Sequence, residues 1–330
     1  IHRVNYSLFQ GILIGWLAVL LARAAGGESL PRNRVLQLDG DGDYVQLPRE
    51  IVLGMDQMTV EAWIKWEAFG YHSQPWGLGS AESQEVIVLN NEGLSNTLQF
   101  FIYEGWKLQR LHVPDILFLG RWQHIAAVYS YTGMQLYLNG VRVGQLAYRG
   151  TVEEIPQMEF IYLGKPHWPA NADFQGQVDE FRIWDVARTE AEIRQTMFER
   201  LAGSEEHLAG LWNFDRGDGA DATSCGNDGT LHGNARCVEA DLPVADALPR
   251  PALLSGTIRD ASGDTLPGAG VVLEQDGRPV KTAATDEAGR YQMVLYPGSG
   301  PYDLMATRRD DGAWLLSFHI SPGESRTTDL

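Results

Sequence analysis

Basic residues are scarce in this chain. Lys and Arg total 26 against 43 Asp and Glu in 330 residues, a formal net charge of −17. Such a surface repels phosphate backbones and anionic headgroups, which argues against nucleic acid and anionic membranes as partners. Divalent cations and neutral glycans remain open. Long apolar runs are also few. Residues 8–21 form the longest one, shorter than the ~20 residues that span a bilayer. It lies between Arg3 and the small-x-small triplet Ala22-Arg23-Ala24, so residues 1–27 are expected to be a secretory signal. Beyond that segment no membrane contact is expected, and the chain is expected to be secreted or held at the cell surface. Cysteine is limited to Cys225 and Cys237. Two thiols with only His232 nearby fall short of a four-ligand zinc site. In an exported chain they are expected to pair as a disulfide around the turn signal Asn227-Asp228-Gly229. No serine or cysteine nucleophile with ordered partners is visible either.

Helical patterning is nearly absent, and what replaces it is strand. Val60, Ala62, Ile64 and Trp66 alternate with Glu61, Trp63 and Lys65. Residues 86–89, 98–102, 122–129 and 134–138 read as further strands. Asn139-Gly140 between alternating segments is a strong hairpin signal, because both residues tolerate positive φ. Many short strands separated by turn residues imply an all-β sandwich or jelly roll over residues 34–238. The clear helix follows Thr189, which precedes Glu192 by capping-box spacing, and is expected to end near Gly203. Residues 239–252 hold three prolines and read as an extended linker. Residues 253–330 suit a small seven-strand sandwich.

Three groups of residues are candidates for chemistry. In residues 178–184, strict alternation places Asp179 with Phe181 and Ile183, a carboxylate on an apolar face. The acidic turn Asp39, Asp41 and Asp43 mimics an EF-hand with Glu50 at the twelfth position, but Tyr44 stands where glycine is needed and residues 44–47 alternate as a strand. The third group is aromatic. Tyr71, His72, Trp76, Trp106 and Trp168 lie in or beside Gly-, Ser- and Pro-rich loops, where ring faces can stack on sugars or close the ends of the core.

The motifs LQLDGDGDYVQL (36–47), MTVEAWIK (58–65), WQHIAAVY (122–129), LYLNGV (136–141), GQVDEFRIW (176–184) and LWNF with NDGTL (211–231) occur in order. Together they resemble a laminin-G-like, concanavalin-A-like jelly roll. Gly256-Thr257-Ile258, Leu266-Pro267-Gly268-Ala269, Thr285-Asp286 and Gly289-Arg290-Tyr291 resemble the carboxypeptidase regulatory-like domain, a non-catalytic transthyretin-like (immunoglobulin-like) β-sandwich. The first resemblance implies a calcium site built from Asp39, Asp41 or Asp43 with Asp179; the alternative is a turn closed by backbone amides. Glucanases of this architecture carry paired carboxylates on one strand; here Asp179 and Glu180 fall on opposite faces by alternation. The expectation is therefore an exported, non-catalytic binding protein. Its jelly roll recognises a carbohydrate or an extracellular protein, and its C-terminal sandwich acts as a spacer or accessory module. The alternatives are the structural extracellular part of a larger sensor or surface protein, and a glycoside hydrolase or lyase.

Overall fold

A computed structural model describes residues 32–80, 85–104, 107–147, 160–298, 300–308 and 311–330. The first sandwich contains β1 (Arg34–Asp39), β2 (Tyr44–Leu47), β3 (Met58–Trp66), β4 (Trp76–Ser80), β5 (Glu85–Asn91), β6 (Leu98–Glu104), β7 (Lys107–Val113) and β8 (Gln123–Ser130). It continues through β9 (Gly133–Leu138), β10 (Val141–Leu146), β11 (Phe160–Leu163), β12 (Gln175–Trp184), helix α1 (Glu190–Thr196), β13 (Leu208–Trp212), β14 (Thr230–His232) and β15 (Arg236–Glu239). An eight-stranded sheet runs β10-β9-β8-β3-β12-β1-β15, with β13 also on β12. A seven-stranded sheet runs β14-β2-β11-β4-β5-β6-β7. Between them lies one core in which Leu36, Ile64, Trp66, Trp76, Ile87, Phe100, Leu136 and Phe181 are all buried. The architecture is the all-β jelly roll that the alternating pattern implies. Asn139 and Gly140, at φ 52° and 74°, join Leu138 to Val141 as a two-residue hairpin loop.

The outer faces of the two sheets differ. On the eight-stranded sheet, Glu61 and Trp63 of β3 are as buried as the core residues between them, because α1 and the chain after it lie over them. A buried ionic network fastens this cover. Arg182 donates to Glu180 Oε2 at 2.8 Å and to Glu61 at 3.5 Å. It also donates to the carbonyls of Thr196 at 3.0 Å and Glu199 at 2.7 Å, answering acceptors that the helix end leaves open. Arg188 and the Trp184 indole donate to the same Glu61 oxygen at 2.8 and 3.0 Å. The capping box of Thr189 and Glu192 forms, but α1 stops at Thr196 and not near Gly203. Arg182 takes over the role expected of a glycine C-cap.

The C-terminal unit has β16 (Ala252–Thr257), β17 (Gly270–Gln275), β18 (Arg278–Ala284), β19 (Arg290–Leu295), β20 (Tyr302–Arg308), β21 (Asp311–Phe318) and β22 (Ser325–Thr327). A three-stranded sheet, β19-β16-β22, faces a four-stranded one, β18-β17-β20-β21, around Leu254, Val271, Tyr291 and Leu304. This unit is packed against the first sandwich. Val294 joins the core of the first sandwich. Tyr296 packs on Phe118 at 5.0 Å, and its hydroxyl accepts from Gln123. Gln292 donates to Val143 O and Lys281 to Pro114 O. The linker is packed as well, with Leu248 buried against Trp63 and Met197.

The two cysteines are separate free thiols, Cys225 exposed and Cys237 buried, so the expected disulfide is not formed. Cys237 sits on β15 opposite Leu36, and burial pushes its thiol up to about 11. A thiol reagent applied to the native protein is expected to label Cys225 quickly and Cys237 only after unfolding. Two unreactive thiols, with no change on unfolding unless a reductant is added, would restore the disulfide.

Candidate functional site

The acidic residues do not converge. β12 pairs with β1 so that Asp39 lies opposite Gln175, and Asp179 stands four residues further along, about 13 Å at the rise of a strand. Asp43 accepts from the amides of Asp39 and Gly40 at 2.6 and 3.2 Å. Asp39 accepts from the Asp41 amide at 3.0 Å. These carboxylates close a turn through backbone amides, the alternative to a metal site. Among the described residues no group of three or more His, Cys, Asp or Glu stands in metal-binding geometry. The calcium set of Asp39, Asp41, Asp43 and Asp179 is therefore not assembled.

Asp179 also does not share the face of Phe181 and Ile183. A bulge between Asp179 and Arg182 inserts one extra residue against β3, with Glu180 at φ 48°. Val178, Phe181 and Ile183 all enter the core, while Asp179 pairs with Trp63 on the outer side. The bulge brings Asp179 and Glu180 to one side, contrary to strict alternation. Both carboxylates are occupied: Asp179 accepts from Asn33 Nδ2 and the Glu180 amide at 2.8 Å each, and Glu180 holds Arg182. Burial raises the Asp179 carboxyl well above the usual carboxylate range. A raised carboxyl leaves stability intact below the unfolded value near 3.8 and erodes it as pH rises through the folded value. The stability of Asp179→Asn relative to the parent should therefore increase between pH 4 and pH 7. Urea midpoints at several pH values would show this; a midpoint of Asp179→Asn that falls relative to the parent as pH rises, or does not change relative to it, would contradict it.

The aromatic candidates divide into three. Trp76 is on β4 in the core, against Phe100; it is a packing residue. Trp106 lies outside the described residues. Tyr71, His72 and Trp168 do come together, on the outer face of the seven-stranded sheet. They line a cleft of about 310 Å³ with Asn90, Gln99, Phe101, Tyr103, Leu108, Arg110 and Asn171.

Local structure explains this convergence. Residues 67–75 join β3 to β4 and are tied down by buried Asn91 of the neighbouring strand β5. Ser73 donates to Asn91 Oδ1 at 2.6 Å, and Asn91 donates to the carbonyls of Gly70 and Gly93. The His72 amide donates to Gly93 O. A second loop, residues 164–173, lies across the sheet and closes on itself where the Phe174 amide donates to Gly164 O. Gly77 on β4 makes room for it: a Cβ there would come within 2.8 Å of His167 Cε1. Trp168 then sits on Phe101 and Tyr103 at 6.0 and 6.1 Å between ring centroids. The Ala172 amide donates to Tyr71 O and joins the two loops.

The polar floor is made of Asn90, Gln99 and His72, with Arg110 as its cation. His72 Nδ1 accepts from the Gly93 amide at 3.3 Å and lies 3.4 Å from Asn90 Nδ2; burial lowers its pKa. The ring is then neutral at physiological pH, with its proton on Nε2. Arg110, on β7, has Glu92 at 3.5 Å. Among the described residues that line the cleft there is no aspartate or glutamate. Asn90, Gln99 and Arg110 escape sequence reasoning because polar residues in strands are ordinary. One signal was available: Gln99, Phe101 and Tyr103 alternate with the core residues Leu98, Phe100 and Ile102. A strand with aromatics on its outward face has something to cover or to bind.

Residues 39–194 match the family model described as the concanavalin A-like lectin/glucanases superfamily. Residues 254–330 match that of the carboxypeptidase regulatory-like domain. Pappalysin-1 of Mus musculus is 26% identical over 199 residues, covering 53% of this chain and 12% of that protein. Pappalysin-1 of Homo sapiens is 24% identical over 193 residues, with the same two coverages of 53% and 12%. The chain thus spans 12% of the length of the curated relatives it matches. Among solved structures, a putative carbohydrate binding protein from Bacteroides ovatus is similar at 20% identity and a TM-score of 0.51, over 66% of this chain and 62% of that one. That likeness is one of fold. By sequence pattern, topology and family match, the chain joins a concanavalin A-like lectin/glucanase domain to a carboxypeptidase regulatory-like domain.

Proposed function

We propose that the jelly roll is a non-catalytic carbohydrate-binding domain acting outside the cell, and that its ligand occupies the cleft of Tyr71, His72 and Trp168. One observation carries the reading: residues about a hundred positions apart in sequence bring exposed and half-buried aromatic rings to the rim of one cleft with an amide-rich floor. Aromatic faces on a rigid frame suit the apolar face of a pyranose, and side-chain amides suit its hydroxyls. The described lining holds amides and aromatic rings and no carboxylate, which supports binding over hydrolysis, a reaction that needs a paired acid and nucleophile or base. Concavity favours a sugar over a flat protein surface. The formal charge of −17 favours a neutral glycan. The domain's family and the signal pattern in residues 1–27 support an extracellular setting. Calorimetric titration of the full chain with a panel of neutral oligosaccharides tests this: saturable binding to at least one member is expected, and no binding to any member would refute it.

A further inference from the structure

The bulge of β12 leaves one carboxylate oxygen open beside a small cavity on the outer face of the eight-stranded sheet. Glu180, at φ 48°, is 4% exposed. Arg182 occupies its Oε2 alone, with bonds of 2.8 and 3.3 Å. Among the described residues nothing donates to its Oε1. A carboxylate accepts at both oxygens, so the open atom is an acceptor whichever way the group is turned. The Arg182 guanidinium favours the ionised form against the effect of burial. Buried polar atoms are nearly always paired, and a charged one left open is the most costly.

The cavity that Glu180 lines has a volume of about 200 Å³. Trp63 of β3 and Phe198, 5.4 Å apart at their ring centroids, form its walls with Leu242 and Pro243. The Trp63 indole N–H is spent on Met197 O at 2.9 Å, so these walls offer rings and aliphatic surface and no free donor. Arg200 and the exposed Glu199 also line the cavity. The terminal nitrogens of Arg200 bond Asp215 and Asn33 Oδ1 at 2.7 Å each, so Asp215 matches its charge. A negative acceptor among aromatic and aliphatic walls is complementary to an ammonium group on an apolar body. The ammonium donates a charge-assisted bond to Oε1, and ring faces favour a cation nearby. A cavity of about 150 Å³ holds one benzene, so the body is limited to a single ring or a short branched chain. We propose that this cavity binds a small primary ammonium compound through Glu180. The cavity shares no lining residue with the glycan cleft among the described residues.

Calorimetry on the full chain at pH 7 compares benzylamine with benzyl alcohol and isobutylamine with isobutanol; within each pair the charged head is the difference. At least one amine should bind saturably and at least about fivefold more tightly than its alcohol, the margin of a charge-assisted bond over a neutral one. In Glu180→Gln the side-chain oxygen stays with Arg182 and the NH2 faces the cavity, so that margin should collapse. On the parent chain labelled with nitrogen-15, the Trp63 indole N–H signal should shift along the same saturation curve. That of Trp212, bonded to Asn227 O outside the cavity, should stay in place. No saturable binding of either amine, equal affinity within both pairs, or an unmoved Trp63 signal would overturn the assignment, as would a margin that survives in a folded Glu180→Gln. If Glu180→Gln fails to fold, the paired comparison and the Trp63 signal on the parent chain still decide.

Discussion

Replacing Arg182 by alanine is expected to destabilise the first sandwich by about 3–5 kcal/mol, the usual consequence of removing one partner from a buried ionic network. The residue is fully buried and holds two carboxylates, Glu180 and Glu61, together with the carbonyls of Thr196 at the end of α1 and Glu199 beyond it. Without the guanidinium, Glu180 keeps a buried carboxyl whose pKa burial already raises, and the chain after α1 loses its attachment to β12. Arg188 and Trp184 still satisfy one oxygen of Glu61, so the fold should survive at low denaturant with a markedly lower midpoint. Lysine is not an adequate substitute, because one ammonium group cannot reproduce a planar fork that reaches both sides of the network. Equilibrium urea unfolding of Arg182→Ala and Arg182→Lys would measure the effect; a loss below about 1 kcal/mol, the value of an exposed pair, would show that the network does not hold the helix down.

Trp168→Ala is expected to weaken glycan binding by about thirtyfold or more, the effect of removing a central aromatic anchor worth about 2 kcal/mol. Trp168 supplies a ring face, and it also keeps residues 164–173 seated on Phe101 and Tyr103. The closure of that loop at Gly164 and Phe174 uses backbone bonds, so the sandwich should remain folded when the indole is gone. Calorimetry beside a thermal melt separates the two effects. Unchanged affinity in a folded Trp168→Ala would place the ligand elsewhere.

The fold was largely legible in the sequence because its signals are local. Alternation in β3, the Asn139-Gly140 hairpin and the Thr189 capping box each need only a few neighbouring residues, and each occurs as read. Two features were not legible, for physical reasons. The bulge at Glu180 places a glutamate at positive φ, a conformation its residue type does not announce. It reverses the facing of Asp179, on which the shared calcium site depended. The cleft depends on register: Asn90 meets Gln99, and Phe101 meets Arg110, through cross-strand pairing that spacing along the chain does not reveal. Sequence alone did bring out Tyr71, His72 and Trp168 as loop aromatics. It did not separate them from Trp76, because a glycine-flanked tryptophan reads the same whether it points into or out of the sandwich.

The docking of the C-terminal unit has the same origin. Val294, Gln292 and Tyr296 follow the pattern of a strand end, and nothing local in them indicates that they reach Val143, Gln123 and Phe118. The second sandwich meets the first around the strand β10 and the chain on either side of Phe118. The cleft of Tyr71, His72 and Trp168 opens on the face of the seven-stranded sheet, and none of the described residues that line it belongs to the C-terminal unit.

The most direct measurement is the side-chain amide spectrum of the protein, labelled with nitrogen-15, during titration with the tightest-binding glycan of the panel. The NH2 signals of Asn90 and Gln99 should shift along one saturation curve that gives the calorimetric Kd. Those of Asn139 and Asn227, bonded to Pro249 O and Ala209 O outside the cleft, should stay in place. Saturable binding that leaves the Asn90 and Gln99 signals unmoved would contradict the assignment of this cleft as the ligand site.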